Sequence, residues 1–408
     1  MKRKIIWIVN QYASHLETRH WELAQSFADQ DFNVVVITSS FHHGSREYLF
    51  DKPIVIQNRS EYVHYAYLHS GPSYQNNGIK RILNMIDFCR LFHRYRKAIA
   101  ATIGSPAYII ASSAPPFVWE SGRSAAKLFH AKFIAEFRDI WPLSLIDVQG
   151  VSPKHPLVRM LSVIEKRAYK HADAIVSTMP YAWKHVTKVA DVSRSKISWM
   201  PNGINMKRVN DWLNSDSAIP QDLNDYLDRH WCCVYVGSIV KSECLDYILK
   251  AFSLVRDTSI YLAVIGNGHE KKNIIEVAEQ MSLNNVSFFP AIDKQLIPKV
   301  LSKAKVCIAA HEDLPIYQYG LSMNKLNDYL ASGKPTVFAC NAHSVVDDAG
   351  HFVVPMNDEK RLADTIIKIK DLSVEETDAL HNRAIQVMRE NYDYSAIGKK
   401  YVEMMKQL

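Results

Sequence analysis

The stretch Cys233-Val-Tyr-Val-Gly-Ser-Ile-Val-Lys241, followed by Leu245-Asp-Tyr-Ile-Leu-Lys-Ala251, sets the reading of the whole chain. Its first four residues form a short apolar run, Gly237 interrupts it, and the later segment places apolar side chains at helical spacing. A buried strand, a glycine turn and a helix in that order are the repeating piece of a parallel sheet. The piece recurs through the second half, with apolar runs at 260–265, 286–289, 306–310 and 336–339. In the first half the runs are 5–10, 33–38, 107–112, 132–137 and 173–178, with helical patterns such as 19–27 and 158–169 between them. The fold class expected is therefore α/β, with two Rossmann-like parallel-sheet domains. The first takes residues 1–204 and the second 231–390. Between them the polar region 205–230, which contains Asn214-Ser-Asp-Ser-Ala-Ile-Pro220, is the linker candidate. Residues 391–408 read as a final helix.

A chain of 408 residues, 48% hydrophobic and 22% charged, has the length and composition for two buried cores. The longest apolar runs, such as 232–240, are well short of the roughly 20 residues a membrane-spanning helix needs. Met1-Lys-Arg-Lys leads into Ile5-Ile-Trp-Ile-Val, but Asn10-Gln11 ends the apolar stretch and no small-residue cleavage site follows. That segment reads as the first buried strand, and the chain as cytoplasmic. Cys89, Cys232, Cys233, Cys244, Cys307 and Cys340 form no C-x-x-C pair, which argues against a zinc or redox motif. The net charge of +7 is unevenly spread: residues 1–200 hold 26 Lys+Arg against 15 Asp+Glu, and the remainder 23 against 27. So basic a first half suits a polyanionic partner or an anionic membrane surface. No nucleic-acid motif accompanies the charge, so no nucleic acid is expected.

Ligands of open parallel sheets bind beyond the carboxyl ends of the strands. Two such sheets facing across a cleft suit a two-substrate transfer, though the fold alone names no chemistry. Gly237-Ser238 allows close backbone approach to a ligand, and Lys241 supplies a point charge suited to a diphosphate. Gly320-Leu321-Ser322 stands just before a helical stretch, where free backbone N–H groups favour anions. Asp328, one turn into that stretch, is placed to accept hydrogen bonds from two ribose hydroxyls.

The ordered set of segments resembles the family-4 (group 1) retaining glycosyltransferases, which have the glycosyltransferase-B fold. The resemblance extends over nearly the whole chain. Its most specific parts are Arg138-Asp-Ile-Trp-Pro142 and Lys325-Leu-Asn-Asp-Tyr-Leu-Ala-Ser-Gly-Lys-Pro335. Thr18-Arg-His-Trp-Glu-Leu-Ala24, Ala111-Ser-Ser-Ala-Pro-Pro116, His171-Ala-Asp-Ala-Ile-Val-Ser-Thr178 and Pro201-Asn-Gly-Ile204 add to it. It is closest to the branch that makes bacterial surface polysaccharides, the O-antigen and capsule aminosugar transferases. The resemblance implies a nucleotide-diphosphate sugar donor, taken as UDP-linked, retention of anomeric configuration and no catalytic metal or other cofactor. It also implies a lipid-linked or oligosaccharide acceptor held by the first domain, and a final helix that crosses back onto it.

Carried over by residue, Lys241 would neutralise the donor diphosphate, Gly237-Ser238 would close over it, and backbone at Ala291-Ile292 would meet the base. Asp328 would bind the ribose, and Gly320-Leu321 would offer amides to the diphosphate or sugar. Ser322 and Lys325 belong to the same donor-binding set. Two positions depart from the family pattern: its first acid is Gly320 here, and a usual glycine after the Lys241 loop is Cys244. Glu312 or Asp313 are candidates to approach the sugar hydroxyls instead. Asp139 reads either as an acceptor-positioning carboxylate or as half of an Arg138–Asp139 pair capping a strand. Arg19, His20 and Arg138 read as acceptor or phosphate contacts or as structural groups, and Pro201-Asn-Gly203 as a structural turn.

Residues 79–100 carry Lys80, Arg81, Arg90, Arg94, Arg96 and Lys97 against one acid, Asp87. Ile79, Ile82, Leu83, Ile86, Cys89, Phe92 and Ile99 recur at helical spacing. Such a helix lies on anionic headgroups or packs its stripe into the domain core. The expectation is a peripheral enzyme on the inner face of the cell membrane. A nucleotide-sugar epimerase or hydrolase of the same fold is the alternative among enzymes. A non-catalytic nucleotide-sugar-binding subunit is the alternative outside them, suggested by Gly320 and Cys244.

Overall fold

The computed structural model describes residues 3–14, 16–76 and 78–408, and its chain separates into two compact units. The first holds residues up to Pro201 together with Tyr394–Leu408, and the second is Asn202–Asp393.

In the first unit, apolar runs become strands β1 (Lys4–Val9), β2 (Phe32–Ser39), β3 (Phe41–His42), β4 (Glu47–Tyr48), β5 (Ile54–Asn58), β6 (Val63–Leu68), β7 (Tyr108–Ser112), β8 (Lys132–Phe137), β9 (Ala174–Ser177) and β10 (Ile197–Trp199). Helices α1 (Arg19–Ala28), α2 (Ile79–Ile103), α3 (Val118–Phe129), α4 (Leu143–Asp147), α5 (Pro156–His171) and α6 (Trp183–Ala190) connect them. The main sheet runs β10-β9-β8-β7-β1-β2-β6-β5 and is parallel except for edge strand β5, while β3 and β4 form a separate antiparallel pair. Its central strands are buried on both faces, as sheets covered by crossover helices require.

The second unit opens with α7 (Met206–Leu213) and α8 (Gln221–Arg229). It continues β11 (Trp231–Val236), α9 (Leu245–Leu254), β12 (Ile260–Ile265), α10 (Lys271–Gln280), β13 (Val286–Phe289), α11 (Ile297–Lys303) and β14 (Val306–Ala310). Then follow α12 (Asn324–Ala331), β15 (Thr336–Ala339), α13 (Val345–Asp348), β16 (Phe352–Val354), α14 (Glu359–Lys370) and α15 (Val374–Val387). Its all-parallel sheet has the order β13-β12-β11-β14-β15-β16, the doubly wound arrangement whose crevice opens where the order reverses, between β11 and β14. Tyr235, Ile248, Phe252, Leu262, Val264 and Ile308 fill the core between sheet and helices.

The last helix, α16 (Tyr394–Lys406), belongs to the first unit, where Ile397, Tyr401 and Met405 join Leu23 and Phe27 of α1 in one core. The stretch expected to be a linker differs from that reading, since it folds as α7 and α8 within the second unit. Met206, Val209 and Leu213 recur at helical spacing along one side, and Leu223 and Leu227 are buried from α8. A high polar content over 205–230 concealed these narrow apolar stripes. Among the described residues no helix is long and apolar enough to cross a membrane.

Candidate functional site

In the second unit the loops after β11 and β12 pack directly on each other. Gly237 N–H donates to Ile265 O at 3.0 Å and Ile239 N–H to Asn267 O at 2.9 Å. Gly266 sits at φ +157°, and a Cβ there would stand 1.9 Å from Gly237 O, so the approach requires glycine. At the neighbouring end of β14, His311 Nδ1 meets Ser242 O at 2.7 Å, and Glu312 N–H donates to the same carbonyl. These bonds hold the β11 loop to the β14 loop across the reversal point.

A lysine stands at the centre of this arrangement, and it is Lys325. Its Nζ lies 2.9 Å from the Tyr235 hydroxyl, 4.6 Å from the centre of that ring, and donates to the Glu243 carboxylate. The Lys325 and Glu243 side chains are 14% and 10% exposed. Burial pushes the Lys325 ammonium below its ordinary pKa, against the opposing effect of Glu243. A Cβ on Gly237 would be 2.7 Å from Lys325 Nζ, so the glycine turn leaves the ammonium its place. Lys241, to which the diphosphate was assigned, is exposed in the turn beyond. Tyr329 fixes α12 to the strand: its hydroxyl accepts from Val236 N–H at 2.8 Å and donates to Val236 O at 3.0 Å.

Other residues of the predicted donor set already have partners within the unit. Gly320 N–H donates to Tyr317 O at 2.9 Å and Leu321 N–H to His343 O at 2.8 Å, so neither amide is free for a diphosphate. The tight helical turn Pro315–Tyr319 takes the Gly320 donor, and the loop after β15 takes that of Leu321. The Ser322 hydroxyl accepts from Asn202 N–H at 2.9 Å, while Asn327 Nδ2 donates to Asn202 O at 2.9 Å. Pro201-Asn-Gly203 is thus pinned by α12 and the segment before it. Asp313 accepts from Asn341 Nδ2 at 2.6 Å, and Glu312 receives the Tyr317 hydroxyl at 3.4 Å. Ser238 and Ala291 are exposed, and Ile292 half-buried, in loops at the carboxyl ends of β11 and β13.

Asp328 keeps its side chain half-buried and borders a cavity of about 240 Å³ walled by α7, α11, α12 and α15. Desolvation raises its carboxyl to about 6, opposed by the charges of Lys294 and Arg208. A carboxylate in that state gains from hydroxyl donors supplied by a ligand.

In the first unit, Arg19 and His20 are buried. Buried Arg19 pairs with buried Glu136 at 3.0 Å and donates to Met200 O at 2.9 Å and to Pro201 O. Glu136 also accepts from Ser112 Oγ at 2.7 Å and from the Tyr401 hydroxyl of α16. Burial alone would raise the Glu136 carboxyl, but the Arg19 guanidinium holds it down at about 2. His20 Nε2 meets Ser112 Oγ at 3.0 Å, and burial with the nearby Arg138 charge lowers the ring to about 3, so it is neutral. Burial and these bonds commit most of the Arg19 guanidinium to Glu136, Met200 and Pro201. Arg138 donates to Ser113 O at 3.2 Å, and Asp139 stands exposed after β8. They do not form a salt bridge at the strand end, since Arg138 turns to the β7 loop.

Sequence reasoning missed Glu243, Tyr235 and Glu136. Glu243 left one trace, as the only acid between Gly237 and Cys244.

On α2 the expected single stripe is two. Met85, Phe88, Leu91, Phe92 and Ile99 enter the core, whereas Ile79, Leu83 and Ile86 are 74%, 48% and 48% exposed. Lys80, Arg90, Arg94 and Lys97 are exposed on the same helix, while Arg96 turns inward to Ser124 Oγ at 2.9 Å.

Residues 16–208 match the model of the family described as Glycosyltransferase Family 4, and residues 232–371 that of Glycosyl transferases group 1. A putative colanic acid biosynthesis glycosyl transferase, WcaI of Escherichia coli (strain K12), is 22% identical over 278 residues. That match spans 66% of this chain and 66% of the relative. Among solved structures, Anabaena Alr3699/HepE in complex with UDP and glucose superposes with a TM-score of 0.66 at 12% identity, covering 100% of both chains. A UDP-forming α,α-trehalose-phosphate synthase from Burkholderia xenovorans gives 0.72 at 14% identity, covering 99% of each. Two doubly wound units and these likenesses together make the chain a glycosyltransferase-B-fold protein related to the group 1 and family 4 glycosyltransferases.

Proposed function

We propose that the chain is a retaining, metal-independent glycosyltransferase that moves a sugar from a UDP-linked donor to a lipid-linked or oligosaccharide acceptor in surface-polysaccharide biosynthesis. The observation that carries the donor half is the Lys325 ammonium, drawn into the crevice between β11 and β14 beside the Gly237 turn. A compact, partly desolvated cation there is matched to a diphosphate. Asp328 serves the ribose hydroxyls, with Ala291-Ile292 offering backbone to the base. The UDP complex of HepE and the UDP-forming synthase support the choice of nucleotide, and the colanic acid relative supports the pathway class. The exposed Ile79, Leu83 and Ile86 with the four exposed basic residues of α2 support docking on an anionic membrane surface.

A thermal-shift panel of nucleotides and nucleotide sugars tests the donor site. A ligand at about 100 times its Kd stabilises by about 2.7 kcal/mol, so UDP and one UDP-sugar should raise the melting temperature of the native chain. The same ligands should leave Lys325→Ala unshifted and Lys241→Ala nearly as responsive as the native chain. Equal shifts in Lys325→Ala, or none with any uridine nucleotide, would overturn the assignment.

A further inference from the structure

The lysine that suits a diphosphate already has an anion on it. Glu243, buried and 10% exposed at the side chain, directs its carboxylate at Lys325 Nζ, and the Tyr235 hydroxyl takes a second position on the same ammonium. Tyr235 in turn donates to Ser238 O at 2.6 Å, so the group is tied to the loop itself. An ammonium has three donors, and two are occupied here. A phosphate oxygen arriving at the third comes within a few ångströms of the Glu243 carboxylate, in a pocket with little water to screen the two negative charges. His311, near the pair, is bound to Ser242 O, and burial lowers its pKa. It therefore adds no charge to offset the repulsion near neutral pH.

We propose that Glu243 is an internal counter-anion that competes with the nucleoside diphosphate for Lys325. It keeps the ammonium in place in the free protein and weakens the grip on the diphosphate once the sugar has left. The proposal rests on the donor-site reading above and adds to it a residue that limits affinity. Binding the product too tightly slows turnover when release is the slow step, so an acid placed against the phosphate cation has a use.

Calorimetric titration of the full chain with UDP tests this in three proteins. Glu243→Gln keeps a hydrogen-bonding oxygen on Lys325 and removes the charge. It is expected to bind UDP about tenfold more tightly than the native chain, equivalent to about 1.4 kcal/mol. Uridine, which carries no phosphate, is expected to bind both alike. Unchanged or weaker UDP binding in Glu243→Gln, or equal tightening for uridine, would overturn the counter-anion role. Should Glu243→Gln fold poorly by circular dichroism, Glu243→Asp withdraws the carboxylate by one methylene. Its UDP affinity should then exceed that of the native chain, and no gain would count against the role. Lys325→Ala separates the two ideas: native UDP affinity in that variant removes the donor-site reading, whatever Glu243 does.

Discussion

Asp328 is a half-buried carboxyl whose desolvation costs the folded protein stability. Its carboxyl is raised to about 6 by desolvation, so the folded state holds a proton there that the unfolded chain gives up near 3.8. Between those values the native state binds more protons, and stability falls as pH rises through the window. Above about pH 6 the ionised group is a standing cost. Asp328→Asn should therefore stabilise the unliganded protein at pH 7 by about 1–2 kcal/mol, a figure reduced for partial exposure, while UDP affinity drops at least tenfold. Chemical denaturation at pH 7 with parallel UDP titration checks both, and a destabilised Asn variant would contradict the account. For the native chain, UDP affinity should decline as pH is lowered through about 6, because the protonated carboxyl is the poorer acceptor of ribose hydroxyls. At this scale the proposal favours Lys325 over Lys241 because three elements converge on the former. No spacing along the chain conveys that convergence.

Among the elements, α2 carries an exposed apolar side beside its buried one. A 25-residue helix with one apolar side in the core has no folding need for a second side carrying Ile79, Leu83 and Ile86 in solvent. With roughly 1 kcal/mol per basic residue near an anionic surface, Lys80, Arg90, Arg94 and Lys97 would supply attraction in the proposed membrane docking, and the three apolar side chains insertion. Replacing Arg90, Arg94 and Lys97 by Glu should abolish cosedimentation with anionic vesicles. Changing Ile79, Leu83 and Ile86 to Ser should weaken it without altering the fold. Unchanged vesicle binding in both variants would remove the membrane role. Helical periodicity alone could not separate these two stripes, because a residue's spacing does not say whether its neighbour is protein or solvent. Helices α7 and α8 carry the opposite lesson: stripes of two or three apolar residues were enough once α11, Phe289 and Tyr261 offered surfaces to meet.

On the scale of the whole molecule, the first unit is assembled from two remote pieces of chain. Tyr401 brings a hydroxyl from α16 to Glu136, which Arg19 and Ser112 also hold. Removing Arg19 leaves a buried carboxylate without its cation, a change that costs about 3–5 kcal/mol. Arg19→Ala should lower the denaturation midpoint accordingly, and Tyr401→Phe by about 1–3 kcal/mol through one lost hydrogen bond. A chain ending at Asp393 should lose the α1–α16 core altogether and expose Leu23 and Phe27. Its melting, followed by tryptophan emission, should fall by several degrees or more. A truncated chain as stable as the full one would show that α16 is dispensable to the first unit.

The sequence determined the two parallel-sheet units on its own. Strands 260–265, 286–289, 306–310 and 336–339 were legible to the residue. Those buried on both faces are continuous apolar runs, and edge strand β13 keeps Val286, Phe288 and Phe289 despite its partial exposure. Strands β5, β10 and β16 were not, since edge and short strands tolerate polar residues such as Gln57 and Ser198. Nor was β6, between β2 and β5, because His64 breaks its apolar run. The segments of the proposed donor site form an ordered set in the sequence, yet which of their side chains lie together is decided by tertiary structure. Backbone amides at Gly320 and Leu321 were spent on Tyr317 and His343, and Arg19 was spent on Glu136. Periodicity records how a chain is divided between core and solvent. Which charged and polar groups remain for a ligand depends on partners distant in sequence, and only the folded chain brings those together.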